Sequence, residues 1–193
     1  MSAAPLVYLV GCNFTDPPNE QAWNDWYNGP KLAMMLRKPL FESCQRFEAV
    51  GLDTKVHYLA VWRVTNEDAF TTPEYTSDWG FYEWADRIGD WTRDLCRLEG
   101  DDGPLALAVP TDGTLHFVRV ECADPDEAQR ARDEVTARCP DLTWGTAVGL
   151  DRSVPFVAVR VLPAGEHEAP QLDDLPVRQT LLRPLIEHTL ADA

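Results

Sequence analysis

The order of apolar segments in the first half of the chain constrains the fold more than any other feature. Residues 6–14 are rich in β-branched and aromatic side chains, which predicts a strand, and residues 19–36 carry apolar side chains at helical spacing. The predicted order is strand, helix, strand, strand, helix, strand, over residues 6–14, 19–36, 41–50, 55–64, 65–88 and 91–100. This order is that of the split βαβ, or ferredoxin-like, unit.

Prolines divide both predicted helices of this half. Pro30 lies inside the first helical pattern and is expected to break or kink it near Asn28–Gly29. Pro73 is expected to end a first helical piece, with helix resuming around residues 81–88. Both helices are therefore predicted to be interrupted.

The second half repeats the plan with almost no residue identity. Residues 113–122 predict a strand, and 124–141 predict a helix with Asp124 as its N-cap and Pro125 in the first turn. Two more strands are predicted at 142–150 and 154–163, while 172–193 is too short for a further helix and strand. We expect an α+β fold in which two ferredoxin-like (split βαβ) repeats, 1–104 and 105–193, form a fused dimeric α+β barrel with helices outside.

Charge and cysteine content narrow the classes of partner. The 193 residues carry a formal net charge of −15, which disfavours binding to nucleic acid or to an anionic membrane surface. No apolar run is long enough to cross a bilayer. The five cysteines form no C-x-x-C pair and are expected to be buried, reduced thiols, which favours a cytoplasmic location.

The first helix carries the strongest candidate site. Asn24, Tyr27 and Lys31 recur at i, i+3 and i+7 and so share one stripe, with Trp23 alongside. A few polar groups among aromatic side chains are typical of small-molecule sites, and a partly desolvated lysine can transfer protons. The alternative is that the aromatic residues are core anchors and that Lys31 reaches out to solvent.

Other candidates lie on the strands and in the second helical region. His57 and Trp62 lie on the third strand, and Arg46 lies on the second strand beside it. Trp79 and Tyr82 belong to an aromatic stretch that can form a lid over a pocket, a homodimer interface or ordinary packing. The predicted catalytic residues are Tyr27, Lys31 and His57, and the predicted substrate-binding residues are Trp23, Asn24, Arg46, Trp62, Trp79 and Tyr82.

Motifs for metals and cofactors are missing from the sequence. Its four histidines lie far apart, without H-x-x-x-H or H-E-x-x-H spacing, and no glycine-rich nucleotide motif or G-x-S-x-G occurs. We therefore expect no metal and no cofactor. A haem with a single histidine ligand stays open as an alternative.

The stretch WNDWYNGPKLAMMLRKPLFESCQRF resembles the first helix and second strand of EthD-like dimeric α+β barrel proteins. Matching positions are Asn24 to Tyr27 and Arg46–Phe47, and the resemblance covers roughly the first half of the chain. Lys31 stands where that family has histidine, and Leu40 where it has glycine. The resemblance implies an enzyme without metal or flavin that binds an aromatic or polyketide-like molecule between helices and sheet.

These observations together predict a cofactor-independent enzyme of secondary metabolism. The expected reaction on an aromatic or polyketide-like small molecule is an acid–base cyclisation, rearrangement or elimination, of cyclase, lyase or isomerase type. Tyr27 and Lys31 would polarise a carbonyl or enolate oxygen, His57 would act as base, and Arg46 and Asn24 would position the substrate. The alternatives are a non-catalytic small-molecule-binding or interaction protein, a cofactor-free monooxygenase, and a haem-binding barrel.

Overall fold

The computed structural model describes residues 6–53, 55–100, 108–166 and 168–192, which form a mixed α/β protein. The helices are short except for α4, and more of the described residues lie in strands than in helices. The strands are β1 Leu6–Phe14, β2 Phe41–Leu52, β3 Tyr58–Val64, β4 Ile88–Leu98, β5 Thr114–Val120, β6 Thr143–Leu150, β7 Phe156–Leu162, β8 Val177–Pro184 and β9 Thr189–Leu190. The α-helices are α1 Glu20–Trp26, α2 Leu32–Leu36, α3 Pro73–Thr76 and α4 Pro125–Arg138.

Eight of these strands close into one antiparallel barrel. The order β2-β3-β1-β4 in the first half is followed by β6-β7-β5-β8 in the second, and every neighbouring pair is antiparallel. Two seams, β4 with β6 and β2 with β8, join the halves and leave no free edge in the ring. The short β9 adds to the rim of β2. The predicted barrel is thus confirmed as a closed eight-stranded β-barrel formed by a single chain.

Alternation along the strands separates an inner layer from an outer one. The inner layer joins both halves and includes Val7, Leu9, Val61, Phe117 and Val157. Intervening residues of β1 and β3 point the other way and pack under α1 and α2. In the second half the outer face is covered by α4. Both faces of the sheet are therefore buried over much of its area, which explains the strongly apolar strands.

The first helix differs from its prediction at Pro30. Instead of breaking, the chain passes through a π-helical turn, Tyr27–Lys31, in which the Leu32 N–H reaches the Tyr27 carbonyl. A π turn shifts hydrogen bonding to the fifth residue, so it tolerates the missing proline N–H while the chain continues into α2. The predicted interruption near Asn28–Gly29 is therefore present, as a π turn between α1 and α2 rather than as a complete break in the helix. Leu40, just beyond α2, has a φ of 69°, a left-handed conformation that favours glycine.

The second helical region is more broken than predicted. Pro73 begins α3 rather than ending a helix, with Thr72 accepting the Tyr75 N–H as N-cap. The pieces on either side, Glu67–Phe70 and Tyr82–Arg87, are 3₁₀ turns. In the second half α4 has the predicted cap, since Asp124 accepts the Glu127 N–H at 2.9 Å.

Two parts of the architecture prediction stay predictions. The chain between β7 and β8 contains no helix in its described residues, 163–166 and 168–176, so the second half has one helix where a split βαβ unit has two. The predicted domain boundary at 104/105 lies outside the described residues.

No helix within the described ranges combines the length and the apolarity needed to span a bilayer.

Candidate active site between the first helix and the barrel

An aromatic cavity lies between the outer face of the barrel and the segment α1–π turn–α2. It has about 330 Å³ of space between its walls, a volume that includes the open mouth and the solvent there. Its walls come from β1, β3, β4, the π turn, α2 and the loop before the Tyr82–Arg87 turn. The lining residues are Tyr8, Val10, Tyr27, Lys31, Met35, Trp62, Trp79, Gly80, Phe81 and Trp91.

Lys31 contributes the only amine among those lining residues. Its side chain is 6 % exposed, and Nζ lies 5.3 Å from the centre of the Tyr82 ring. Burial, followed by the positive charge of Lys38, lowers the Lys31 pKa to about 8, while Asp78 opposes the shift. An amine with this pKa exists in both protonation states near neutral pH, so it can accept or donate a proton there.

Two buried phenols face the same cavity. Burial raises the pKa of Tyr27, an effect opposed by the charge of Arg46 and by a hydrogen bond from Trp62. Burial also raises the pKa of Tyr8, helped by the nearby Tyr75 and Tyr27 hydroxyls. Both phenols stay protonated at neutral pH and can donate hydrogen bonds to an oxygen of a bound molecule.

Behind Tyr27 lies a buried arginine cage. Arg46 is 1 % exposed. Its guanidinium carbon lies 4.0 Å from the centre of the Tyr27 ring and 4.9 Å from the centre of the Trp23 ring. Nη2 donates to Asn24 Oδ1 at 3.0 Å, and Nη1 donates to Asn28 Oδ1. Arg46, Asn24 and Trp23 do not line the cavity. They lie where they can fix the position of Tyr27, rather than where the sequence predicted they would contact the substrate.

The cavity mouth is formed by exposed aromatic side chains. Trp79 and Trp91 are 39 % and 40 % exposed, and the guanidinium of Arg93 lies 4.9 Å and 5.0 Å from their rings. Tyr82, with a φ of 49°, donates its hydroxyl to Asp78 and lies over the Lys31 amine. These residues could act as a lid or as an interface surface, and both predictions stay open.

The histidines lie elsewhere. His57, predicted on the third strand, lies just before β3. It is half-buried, its ring is edge-on to Tyr58 with ring centres 4.6 Å apart, and it does not line the cavity. His116 is fully buried, with Arg160 Nε donating to Nδ1 and Nε2 bonded to Gln179 Oε1. Among the described residues no three His, Cys, Asp or Glu side chains converge as metal ligands. Four of the five cysteines are buried, as predicted.

The structure thus divides the predicted site residues into two groups. Tyr27, Lys31, Trp62 and Trp79 line the cavity, and Tyr82 covers it. Sequence reasoning missed Tyr8, Phe81 and Trp91, as well as Asn28 in the arginine cage. The position of Tyr8 in the alternating pattern of β1 indicates which face of the strand it lies on. It identifies Tyr8 as a cavity residue only once that face is known to lie under the helix.

Comparison with known proteins gives likeness of fold. No protein family profile and no curated protein matches the sequence. An anthrone oxidase-like protein of known structure is similar with a TM-score of 0.61 at 8 % identity, over 98 % of this chain and 94 % of that one. A candidate monooxygenase from Fusobacterium nucleatum subsp. nucleatum gives 0.57 at 9 % identity, over 98 % and 96 %. These likenesses show a shared fold.

Proposed function

We propose that this protein is a cofactor-independent enzyme that acts on an aromatic or polyketide-like carbonyl compound by acid–base chemistry. One observation carries the proposal: Lys31 and Tyr27 line a single cavity whose other walls are largely aromatic. A flat apolar substrate would bury against Trp62 and Trp79, with its carbonyl group directed to the two polar side chains.

Each polar group has a role that suits its protonation state. Neutral Lys31 removes a proton from the carbon next to the substrate carbonyl, and Tyr27 donates a hydrogen bond to the enolate oxygen that forms. Arg46, held by Asn24, fixes Tyr27 from behind. The enolate can then undergo cyclisation, rearrangement or elimination. Lys31 is favoured over His57 as the base because His57 is outside the cavity lining.

A second candidate function is oxygenation of the same carbanion. Two proteins of similar fold are described as an anthrone oxidase-like protein and as a candidate monooxygenase. An anthrone has an acidic C–H next to two aromatic rings, and its anion reacts with O₂ without a cofactor. The aromatic walls and the Lys31 base suit that substrate as well, so both candidates share the proton-abstraction step.

The finer classification is also a proposal. Each half has its four strands in the order fourth, first, third, second, which supports two ferredoxin-like repeats of the EthD-like class. The exposed Trp79, Tyr82 and Trp91 support a homodimer interface as a further proposal, which light scattering after size exclusion tests. A monomer in that measurement would reject the homodimer without affecting the cavity.

Deuterium exchange tests the shared proton-transfer step directly. The wild type is incubated with 2-tetralone in D₂O, and exchange next to the carbonyl is followed by NMR. In parallel, anthrone is supplied in air and both O₂ uptake and anthraquinone are measured. We expect catalysed exchange that falls at least about 100-fold in Lys31→Met and roughly tenfold in Tyr27→Phe, in line with the loss of a general base and of an oxyanion donor.

His57→Ala is the matched comparison. Its exchange rate is expected to equal that of the wild type, and a loss as large as that of Lys31→Met would return the role of base to His57. O₂ uptake with formation of anthraquinone would favour the oxygenase candidate. Tight binding of both probes with neither exchange nor O₂ uptake would contradict an enzymatic function and favour a ligand-binding protein.

A further inference from the structure

The Lys31 side chain is largely buried, while its amine nitrogen keeps some solvent access. Its Nζ makes no hydrogen bond and no ion pair with any residue in the described ranges, and it lies 5.3 Å from the centre of the Tyr82 ring. A buried lysine is normally paired, because a desolvated ammonium is costly. The nitrogen lone pair of the neutral form is therefore free to react with a molecule in the cavity.

A second lysine, Lys38, is fixed by hydrogen bonding, and its positive charge lowers the pKa of Lys31. Lys38 is itself buried, and its Nζ donates to the Glu74 carbonyl at 2.6 Å and lies 3.9 Å from Asp78. The like charge adds to the effect of burial on the Lys31 pKa, which is lowered to about 8. The other titratable groups facing Lys31 are Asp78, Tyr82, Tyr27 and Tyr8, and the three phenols have raised pKa values. Desolvation beside a second cation is a known way to make a lysine nucleophilic.

We propose that Lys31 forms a Schiff base with an aldehyde or ketone carbon of an aromatic substrate. This inference rests on the proposed function for its substrate class, and it makes Lys31 a nucleophile and electron sink in place of the general base. The neutral Nζ attacks the carbonyl carbon, and a C–N bond forms as the oxygen takes up a proton. Loss of that oxygen as water leaves the imine, with no change in oxidation state. Tyr27, whose hydroxyl stays protonated, lines the same cavity and is the proposed proton donor to the departing oxygen.

The cavity walls favour this adduct. Trp62, Phe81 and Trp91 present ring faces or edges to an aryl group, so the substrate is held beside the amine. The apolar walls also limit the access of water to the imine. A protonated imine is a stronger electron sink than a carbonyl, which makes removal of the neighbouring proton easier.

Reductive trapping tests the proposal. The protein contains three lysines, Lys31, Lys38 and Lys55, so sites of modification are readily mapped. The wild type is treated with 6-methoxy-2-naphthaldehyde and sodium borohydride at pH 8, and the peptides are analysed by mass spectrometry. We expect one naphthylmethyl adduct on Lys31, exceeding that on the exposed Lys55 by roughly tenfold or more, since a pKa near 8 leaves about half of the amine neutral.

Controls separate this inference from the proposed function. Lys31→Arg, which keeps the charge but cannot form an imine under these conditions, should lose the adduct while adducts on Lys55 are unchanged. Equal labelling of Lys31 and Lys55 in the wild type, or labelling confined to Lys55, would overturn the Schiff base. If 2-tetralone exchange still depends on Lys31 in that case, the acid–base function stands alone. An adduct on Lys31 without any exchange supports the Schiff base and contradicts the proposed turnover.

Discussion

The central guanidinium carbon of Arg46 lies 4.0 Å from the centre of the Tyr27 ring, in the interior of the protein. No carboxylate in the described residues pairs with this cation. Two asparagine oxygens and the rings of Tyr27, Trp23 and Tyr58 surround it instead. Cation–π contacts and neutral hydrogen bonds thus replace an ion pair, and they connect the barrel wall to the helix that carries Lys31.

Removing one acceptor from this cage should destabilise the protein. In Asn28→Leu, Arg46 Nη1 loses its partner inside the protein, and we expect unfolding free energy to fall by roughly 1–3 kcal/mol in urea denaturation. The exposed Gln171→Leu is the control and should change it by less than about 0.5 kcal/mol. In an Arg46→Met background, the cost of Asn28→Leu should shrink, because no buried charge is then left unpaired. An unchanged cost would show that Asn28 acts independently of Arg46.

The titration of Lys31 should respond to its two charged neighbours in opposite directions. Lys38→Met removes a like charge and should raise the Lys31 pKa above about 8, whereas Asp78→Asn removes an opposite charge and should lower it. With three lysines in the chain, ¹³C-lysine NMR can follow each Cε against pH. Shifts in the same direction for both variants would contradict the electrostatic account of the site.

Buried His116 should make stability depend on pH between about 6.5 and 4. Burial lowers its pKa to about 4, with Arg160 adding to the shift and Gln179 opposing it. Within this window the unfolded chain binds a proton that the folded protein does not, so stability falls as pH falls, by on the order of 3 kcal/mol. The unfolding free energy of the wild type and of His116→Gln is measured against pH, and the second curve is subtracted from the first. The difference removes the contribution of the carboxylates, which both proteins share. A flat difference across the window would refute it.

One seam of the barrel should be sensitive to a single methyl group. A Cβ on Gly145 would lie 2.6 Å from Leu98 Cδ2 and 3.1 Å from Val157 Cγ2, where β4 meets β6 and β7. Gly145→Ala is expected to lower stability by about 1–3 kcal/mol through overpacking. Gly149→Ala on the same strand meets Leu95 at an ordinary 3.4 Å and should cost less. Thermal unfolding of the two variants gives the comparison. A larger loss of stability in Gly149→Ala than in Gly145→Ala would contradict the prediction that Gly145 is the more tightly packed position.

Strand positions were predictable because local chemistry decides them. Residues 6–14 contain six β-branched, aliphatic or aromatic side chains between turn signals, and the observed β1 has those same bounds. The cap of α4 was equally local, since Asp124 and Pro125 act on adjacent backbone groups. The path of the chain at Pro30 was not predictable from local sequence. A helix packed on a sheet can continue past a proline by adopting a π turn.

The candidate site was predictable in part. The spacing of Tyr27 and Lys31 on one helix placed both at the same surface, and the structure puts both in one cavity. Arg46 and His57 were assigned by the neighbouring strands they occupy. The direction of each side chain depends on which sheet face the helix covers, and this places Arg46 beneath the helix and His57 beside Tyr58.

The sequence by itself determined the first seven strands, their alternation, the capped helix of the second half and the polar stripe of the first helix, since each depends on residues close along the chain. It did not predict β8 and β9. Only the tertiary structure decided that β4 meets β6 and β2 meets β8, that Lys38 lies near Lys31, and that Tyr8 and Trp91 complete the cavity. These relationships join residues from 7 to more than 130 positions apart. They follow from burying two sheet faces at once, which local sequence patterns do not encode.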